Sequence, residues 1–470
     1  MSPLSLRTDA IGFRPVATAV PRMRVDARWG WIELVALMQL CWGALLFIPH
    51  IQPYRVPIRA LPYVASLAAF AFVTRTATDD ELPTSSKWLL ASLALLVAGL
   101  LHPNTYLGAG LAQVLFQLSI AAPMFWVARI DCSPARLMRL LWLLLAASLV
   151  SAGLGVLQVY SPDVFLPPEF SALARQLNPL IVSALSYTGP NGLPIVRPPG
   201  LTDLPGGAAV SGLVTVLLGT AFASREQTSR PMRVLCVAAT AVGMTALYLT
   251  EVRSLTIMAA LGVLMFAGIR LRQGRAVRGG WIATFGIALV AASFIWASAL
   301  GGKSVQARYS GLMETGILTT FEETRGRSLD YTFSELLFRF PFGAGLGRWG
   351  TMPVYFPDPS AWRTPPIYVE IQITGWLLDG GVLMWILYGG ALASALALAY
   401  RSAVDRSPDS VRYPSAIVLV FQIALVGLCL TGPVFNSQLG VLFWMITGAL
   451  YSATRGARRE RLAALAAEPW

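Results

Sequence analysis

Charged side chains are scarce in this sequence. They make up 13% of its 470 residues, whereas a soluble chain carries about a quarter. Hydrophobic residues make up 55%, and the mean hydropathy is +0.61. So few charges cannot cover the surface of a water-soluble protein of this length. The composition therefore excludes a soluble globular protein and predicts an all-α, polytopic integral membrane protein.

Cysteine and histidine are also rare, which narrows the kinds of site to consider. The four cysteines show no Cys-x-x-Cys spacing and fall in apolar segments or in a short basic loop. We therefore expect neither a disulfide framework nor a zinc site, and we expect no metal and no cofactor. The only two histidines, His50 and His102, leave little choice of an imidazole base.

Twelve apolar segments are candidates for membrane spans. They lie near 31–48, 59–74, 88–101, 106–128, 137–160, 206–223, 232–250, 255–271, 280–300, 371–398, 413–431 and 434–452. The chain is thus predicted to have a tail at 1–30, nine spans over 31–300 with a loop at 161–205, a large loop containing short helices at 301–370, three spans over 371–452 and a tail at 453–470. The N-terminal tail lacks the apolar stretch and cleavage site of a signal peptide.

Basic residues predict the orientation of these spans. Of the 36 lysines and arginines, 24 lie in the two tails and in alternate loops. Basic residues favour the cytoplasmic side, so both termini are predicted to be cytoplasmic. The loops at 161–205 and 301–370 then face outward. The net charge of +12 does not indicate nucleic-acid binding, because the basic clusters are short and lie between apolar runs.

The large loop combines charges with aromatic rings. Seven basic and seven acidic residues lie between Lys303 and Glu370, interleaved with aromatic residues. Guanidinium groups fit phosphate and ring faces pack on sugars, so the loop suits an anionic, sugar-bearing substrate. The alternative is a solvated cap over a helix bundle. Helical spacing predicts a helix from Ser328, as N-cap, to Phe340, ended by Pro341, and the glycines of 341–350 would let backbone amides approach a phosphate.

Two further arginines lie where the chain meets the membrane. Arg197 follows a proline-rich stretch just before a span, and Arg253 lies in a very short turn between two spans. An arginine at that depth is costly unless it meets an anion or water, which makes Arg253 a functional candidate. The alternative is that Arg253 extends to the membrane interface and pairs with Glu251.

Four motifs, in this order, resemble the O-antigen ligase/polymerase superfamily of bacterial membrane glycosyltransferases, whose members include Wzy-type polymerases. They are Arg197-Pro-Pro-Gly-Leu-Thr-Asp, Thr250-Glu-Val-Arg-Ser, Arg327-Ser-Leu-Asp-Tyr followed by Phe340-Pro-Phe-Gly-Ala-Gly-Leu-Gly, and Trp376-Leu-Leu-Asp-Gly-Gly-Val. The resemblance covers roughly residues 195–400.

The resemblance implies an oligosaccharide donor and acceptor carried on undecaprenyl diphosphate. An acceptor hydroxyl attacks the anomeric carbon of the donor, and the lipid diphosphate leaves without help from a metal. Arg197 and Arg253 would bind the diphosphate and stabilise its developing charge, with Arg327 and Arg348 in support. Membrane lipids, and a chain-length regulator or export complex, are the further partners expected.

This chain departs from the family at the position of the expected catalytic base. Relatives commonly have a histidine just after the large loop, and here that position falls on or near Glu370. A carboxylate partly buried at the mouth of a span would have a raised pKa and could accept the acceptor's proton. The alternative is a structural ion pair between Glu370 and an arginine. Asp330 and Glu335 are reserve bases, His50 and His102 are remoter ones, and Tyr368 could orient sugar.

Three other functions remain open. A ligase would transfer glycan to a lipid A core acceptor, although the missing histidine favours the polymerase. A flippase for lipid-linked oligosaccharides commonly has twelve spans, but transporter folds usually repeat internally, and these two large loops are unequal. A peptidoglycan-type polymerase would also use a lipid diphosphate donor and an acidic residue.

Overall fold

The structure, a computed structural model, is built almost entirely of helices. It describes residues 30–76, 82–167, 186–188, 194–202, 204–359, 365–405 and 408–467. Within these ranges, eight helices are long and apolar enough to cross a membrane, and three further apolar helical segments are shorter. The strands β1 (Ser186–Thr188) and β2 (Pro194–Val196) form one small antiparallel sheet. The prediction of an all-α polytopic membrane protein is confirmed.

The helices are numbered in chain order. The first ten are α1 (Trp31–Cys41), α2 (Arg55–Thr76), α3 (Thr84–Gly99), α4 (Leu107–Val127), α5 (Pro134–Tyr160), α6 (Pro162–Phe165), α7 (Ala208–Ser224), α8 (Arg230–Thr250), α9 (Arg253–Arg272) and α10 (Ala276–Gly301). The others are α11 (Lys303–Thr315), α12 (Ile317–Phe321), α13 (Arg327–Tyr331), α14 (Leu337–Arg339), α15 (Met352–Tyr355), α16 (Gln372–Val404), α17 (Asp409–Leu428) and α18 (Gln438–Ala467).

Each of the twelve predicted spans overlaps a helix, but α18, at the last of them, belongs to neither of the two groups above. The first, third and sixth belong to the shorter apolar segments, whereas the second, predicted at 59–74, is the longer helix α2. The last, predicted to end at 452, continues as α18 to Ala467, into the tail predicted at 453–470. Nearly all of the tail predicted at 1–30 and most of the loop predicted at 161–205 lie outside the described residues.

Hydrogen bonds between helix ends place residues of the large loop at one end of the bundle, called here the loop end. The amide of Gln372, at the start of α16, donates to the carbonyl of Cys429 just after α17 (3.0 Å). The Gln372 side chain accepts from the amide of Phe435 before α18 (2.8 Å). The amide of Leu346 in the loop donates to the Thr105 hydroxyl before α4 (2.9 Å). The large loop is thus bonded to the helix ends beneath it.

The middle of the large loop is one helical run from Ile317 to Arg339. It alternates α-helical turns with two π-helical turns, Glu322–Gly326 and Thr332–Leu336. The run ends before Pro341 as predicted, because proline cannot continue a helix. Its start was predicted wrongly. Ser328 lies inside the run and does not cap it, and its hydroxyl instead donates to the carboxylate of Glu370 (3.1 Å).

Helix α16 is interrupted at Gly380 and Gly381, and the glycine-rich segment 340–350 packs into the interruption. The amide of Ala344 donates to the carbonyl of Leu378 (2.8 Å), and the amide of Val382 donates to the carbonyl of Pro341 (3.0 Å). The amides of Ala344 and Leu346 are therefore bonded within the protein. This corrects the expectation that the glycines present these amides to a phosphate, because the close approach they allow is to α16 and the start of α4.

Gly381, in the interruption of α16, has no room for a side chain. Its φ is +66°, and an added Cβ would lie 2.0 Å from the carbonyl oxygen of Pro341. Gly381→Ala should therefore displace segment 340–350 and cost at least about 1–3 kcal/mol from the backbone conformation alone. Gly389→Ala is the matched control, since Gly389 lies in the same helix with no atom within 4 Å of the added Cβ. Thermal unfolding in detergent should show a lower midpoint for Gly381→Ala only. Equal midpoints for the two variants would refute this docking.

Candidate functional site

A cavity of about 650 Å³ opens at the loop end. Its walls are the helical run of the large loop, the segment 365–370 and the start of α16. The charged residues that line it are Arg327, Arg339, Arg348 and Glu370, which are called here the cavity cluster. The aromatic residues that line it are Tyr331, Phe340 and Tyr368. The cavity thus combines three guanidinium groups, one carboxylate and three rings.

Four predicted site residues meet at this cavity, namely Arg327, Arg348, Tyr368 and Glu370. Arg339 also lines it and was missed, although it was visible as one of the basic residues of the loop. Its guanidinium lies 5.2 Å from the ring centre of Phe340. Asp330 was predicted as a binding residue and reserve base, but it is exposed and does not line the cavity.

Arg348 is held by backbone carbonyl groups. Its guanidinium donates to the carbonyl oxygens of Ala344 and Pro365, each at 3.0 Å. Its Nε is buried and has no hydrogen-bond partner. Burial and the charge of Arg339 both lower the pKa of Arg348, while Asp358 acts in the opposite direction. The fold thus fixes a positive charge at the cavity through neutral carbonyl groups, which leaves that charge available to an anion.

Glu370 is bonded on both of its carboxylate oxygens. One accepts from the Tyr368 hydroxyl (3.0 Å), and the other accepts from Ser328 (3.1 Å) and forms an ion pair with Arg325. Burial alone would raise the pKa of Glu370, but Arg325, Tyr368 and Ser328 outweigh burial and lower it. The predicted raised pKa is therefore wrong for this structure. The alternative of an ion pair with an arginine is what the structure contains.

A buried carboxylate anchors the wall that carries Arg348. Asp379, in α16, accepts a hydrogen bond from the Trp349 indole nitrogen (2.7 Å) and one from the side chain of Gln113 in α4 (3.3 Å). A carboxylate buried inside a membrane helix is costly unless it is hydrogen-bonded. These bonds therefore fix Trp349, the neighbour of Arg348, against α16 and α4. The sequence motif included Asp379 but did not mark it as a site residue. Its position as an isolated acid in an apolar span was the signal that could have identified it.

Arg197 and Arg253 lie in a second group at the loop end. Arg253 is the first residue of α9, directly after the two-residue turn in which Glu251 has a φ of +55°. Glu251 lies 3.9 Å from the guanidinium of Arg197 and accepts from the Ser304 hydroxyl (3.0 Å). Glu251 therefore pairs with Arg197. The alternative predicted that Glu251 pairs with Arg253, and that pairing is not formed.

Arg308, in α11, completes this group of charges. Its positive charge acts on both Arg197 and Arg253. The pKa of Arg197 is lowered most by burial and next by the charge of Arg308. The Nε atoms of Arg197 and Arg253 are buried without hydrogen-bond partners. Arg197, Glu251, Arg253 and Arg308 are called here the hairpin cluster. Neither Arg197 nor Arg253 lines the cavity, so the predicted phosphate-binding arginines are divided between two clusters.

Of the two histidines, His102 is the one close to the cavity wall. Its Nδ1 accepts from the amide of Asn104 (3.2 Å), a residue that lines the cavity. Burial and the charge of Arg348 lower the pKa of His102, so its imidazole is neutral at pH 7. His102 is thus an alternative base beside the cavity wall. Among the described residues, no three His, Cys, Asp or Glu side chains converge as they would to hold a metal ion.

The cavity cluster predicts a binding preference. Its three arginines should bind diphosphate through charge-assisted hydrogen bonds, each contributing about 1.5–3 kcal/mol. Arg348→Ala should therefore weaken binding of inorganic diphosphate by about tenfold or more. The control is Arg272→Ala, because Arg272 is exposed at the opposite end of α9 from Arg253. Calorimetry on the purified protein in lipid nanodiscs measures both affinities. Equal affinities would argue against an anion site at Arg348.

Comparison with protein-family models and with curated proteins found no match to this chain. Its function is therefore argued from its own residues, which the fold gathers into the cavity cluster and the hairpin cluster.

Proposed function

We propose that this protein is a bacterial membrane glycosyltransferase that polymerises undecaprenyl-diphosphate-linked oligosaccharide repeat units into exopolysaccharide or O-antigen. The observation that carries the proposal is the cavity at the loop end, where three arginines and a carboxylate surround about 650 Å³ next to exposed rings. The membrane helices beneath it suit a lipid carrier. Three of the four motifs that resemble Wzy-type enzymes contribute Arg197, Arg253 and Arg327 to the two clusters, and Arg348 directly follows the third motif.

The leaving group accounts for the arginines. When the bond between the anomeric carbon and the diphosphate breaks, negative charge develops on the phosphate oxygen, and fixed positive groups stabilise that charge. Arg348 is fixed in this way by two carbonyl groups, and Arg327 and Arg339 line the same cavity. The rings of Tyr331 and Tyr368 offer faces on which sugars pack.

The acceptor hydroxyl must lose a proton as it attacks. Glu370 is the carboxylate of the cavity cluster, and Tyr368 and Ser328 orient its two oxygens. The proton would pass from the hydroxyl to Glu370 while the new carbon–oxygen bond forms and the lipid diphosphate departs. Reserve bases are His102, beside Asn104, and the acids Asp330 and Glu335.

Two separate basic clusters suit a polymerase in particular. A polymerase binds two lipid diphosphates at once, one on the donor and one on the acceptor. The cavity cluster and the hairpin cluster each have three arginines and one carboxylate. A ligase that used a lipid A core acceptor would need only one diphosphate site, so the second cluster favours the polymerase.

The location follows from the distribution of basic residues. With 24 of 36 lysines and arginines in the tails and alternate loops, both termini are proposed to be cytoplasmic in the inner membrane, and the cavity to face the periplasm. A chain-length regulator or an export complex is the proposed protein partner on that side.

An elongation assay tests the proposal. The purified protein in liposomes, given a synthetic undecaprenyl-diphosphate oligosaccharide, should yield longer lipid-linked glycans with or without a chelator. Glu370→Gln should retain donor binding but lose about 10²–10⁴-fold in turnover, as expected on removal of a general base. Glu323→Gln is the matched control, because Glu323 lies in the same loop but is exposed and outside the cavity.

The assay also distinguishes the competing functions. The polymerase would be contradicted if none of the repeat units native to the host were elongated. Transfer only to lipid A core would identify a ligase. Movement of the donor across the bilayer without elongation would favour a flippase. Full activity of Glu370→Gln would remove Glu370 as the base and direct attention to His102.

A further inference from the structure

Arg325 is a cavity-rim residue that the sequence did not single out. It lies in the first π-helical turn of the large loop, and its guanidinium pairs with Glu370. The side chain of Arg325 is 37% exposed and that of Glu370 is 27% exposed, so the pair is open to solvent. A carboxylate bound to a guanidinium is a weak proton acceptor, because the positive charge stabilises its ionised form. The pair therefore conflicts with the role proposed for Glu370.

We propose that Arg325 exchanges Glu370 for the phosphate of an incoming lipid diphosphate, and that this exchange frees Glu370 to accept the proton of the acceptor hydroxyl. This inference rests on the proposed function and adds to it a residue that makes the base available only when a donor is bound. Glu370 is the residue that takes the proton, and Arg325 acts on it as a positioning residue.

The charges around Glu370 favour the exchange. Arg327, Arg339 and Arg348 line the cavity that Glu370 shares, so a diphosphate drawn there arrives beside Arg325. A guanidinium group binds phosphate through two parallel hydrogen bonds and through a larger charge than one carboxylate offers. The neutral groups Ser328 and Tyr368 remain bonded to Glu370 and keep its oxygens oriented. The carboxylate thus loses its counter-ion without losing its position.

Within the described part of the chain, the helical run is tied to a membrane helix on one side of Arg325 only. Beyond Arg325, the Thr332 hydroxyl is buried and lies 2.6 Å from that of Thr374 in α16, which ties the run to the membrane helix. Glu322, Glu323 and Thr324, on the other side, are exposed. Turns with π-helical hydrogen bonds often occur at functional sites. The backbone that carries Arg325 is therefore less tightly held than the part that faces α16.

The proposed step transfers the donor glycan to the acceptor oxygen and the acceptor proton to Glu370. The acceptor oxygen forms a bond to the donor's anomeric carbon, and its proton goes to the free Glu370 carboxylate. The bond from the anomeric carbon to the phosphate oxygen breaks, and the lipid diphosphate leaves with the electron pair. Arg325, already bonded to this diphosphate, stabilises the new negative charge on its phosphate. Departure of the lipid diphosphate allows Arg325 to return to Glu370 once the proton has been released.

Infrared difference spectroscopy on the purified protein in nanodiscs tests the exchange. The protonated-carboxyl band that is absent in Glu370→Gln reports Glu370, and its pH midpoint is measured with and without farnesyl diphosphate as the probe. The charged or titratable groups in contact with Glu370 are Arg325 and Tyr368, and those that line the cavity with it are Arg327, Tyr331, Arg339 and Arg348. Loss of the Arg325 counter-ion should raise the midpoint by about one pH unit or more. Inorganic diphosphate is the second arm, which separates a free anion from a lipid-linked one.

Two variants of Arg325 complete the experiment. Arg325→Gln should show the raised midpoint without any ligand and little further rise with it, whereas Arg325→Lys should restore part of the ligand-dependent rise. Glu323→Gln is the control, because Glu323 is exposed in the same π-helical turn and should leave the Glu370 band unchanged.

Three results would overturn the exchange. They are a midpoint unchanged at saturating farnesyl diphosphate, failure of farnesyl diphosphate to bind, and a shift with inorganic diphosphate but none with farnesyl diphosphate. Failure of the proposed function would give a different pattern, namely a ligand-dependent rise in midpoint without any glycan elongation.

Discussion

A buried hydrogen bond from the Trp349 indole to the carboxylate of Asp379 fixes the cavity wall that carries Arg348. A carboxylate within a membrane helix must be satisfied by donors, and Trp349 and Gln113 supply them from two other parts of the chain. The interruption of α16 at Gly380 and Gly381 opens the space into which segment 340–350 packs. Because Arg348 precedes Trp349, the same contact places a guanidinium at the cavity wall. Membrane energetics and the geometry of the candidate site are thus linked at one position.

Charge is scarce in this chain, and eight charged side chains meet at the loop end in two clusters. In the cavity cluster, Arg348 is held by carbonyl groups and not by a carboxylate, so its charge stays available. In the hairpin cluster, Arg197 lies 3.9 Å from Glu251, and Arg308 acts on Arg197 and Arg253. Both clusters retain an excess of positive charge in surroundings that raise the cost of leaving it unbalanced. Such sites favour a ligand with more than one negative charge, and lipid diphosphates are membrane ligands of that kind.

Hydropathy and helical spacing were sufficient to predict the fold, because an apolar segment long enough to cross a membrane forms a helix. The same local reasoning placed Arg327, Arg348, Tyr368 and Glu370 in one region, since all four belong to the large loop. Contacts between distant parts of the chain could not be predicted in this way. Gln113 meets Asp379 across 266 positions, and Ser328 meets Glu370 across 42. The pKa of Glu370 was predicted in the wrong direction for this reason, because burial was visible in the pattern and the pairing with Arg325 was not.

The central claim is that the cavity cluster binds the diphosphate of a lipid-linked glycan. Cryo-electron microscopy of the protein bound to an undecaprenyl-diphosphate oligosaccharide tests it most directly, because the phosphate groups are located by their density. The account predicts phosphate oxygens within about 3 Å of the guanidinium groups of Arg327 and Arg348, with Arg325 turned from Glu370 to phosphate. A diphosphate bound only at the hairpin cluster, or away from the loop end, with the cavity empty and Arg325 still paired with Glu370, would contradict the account.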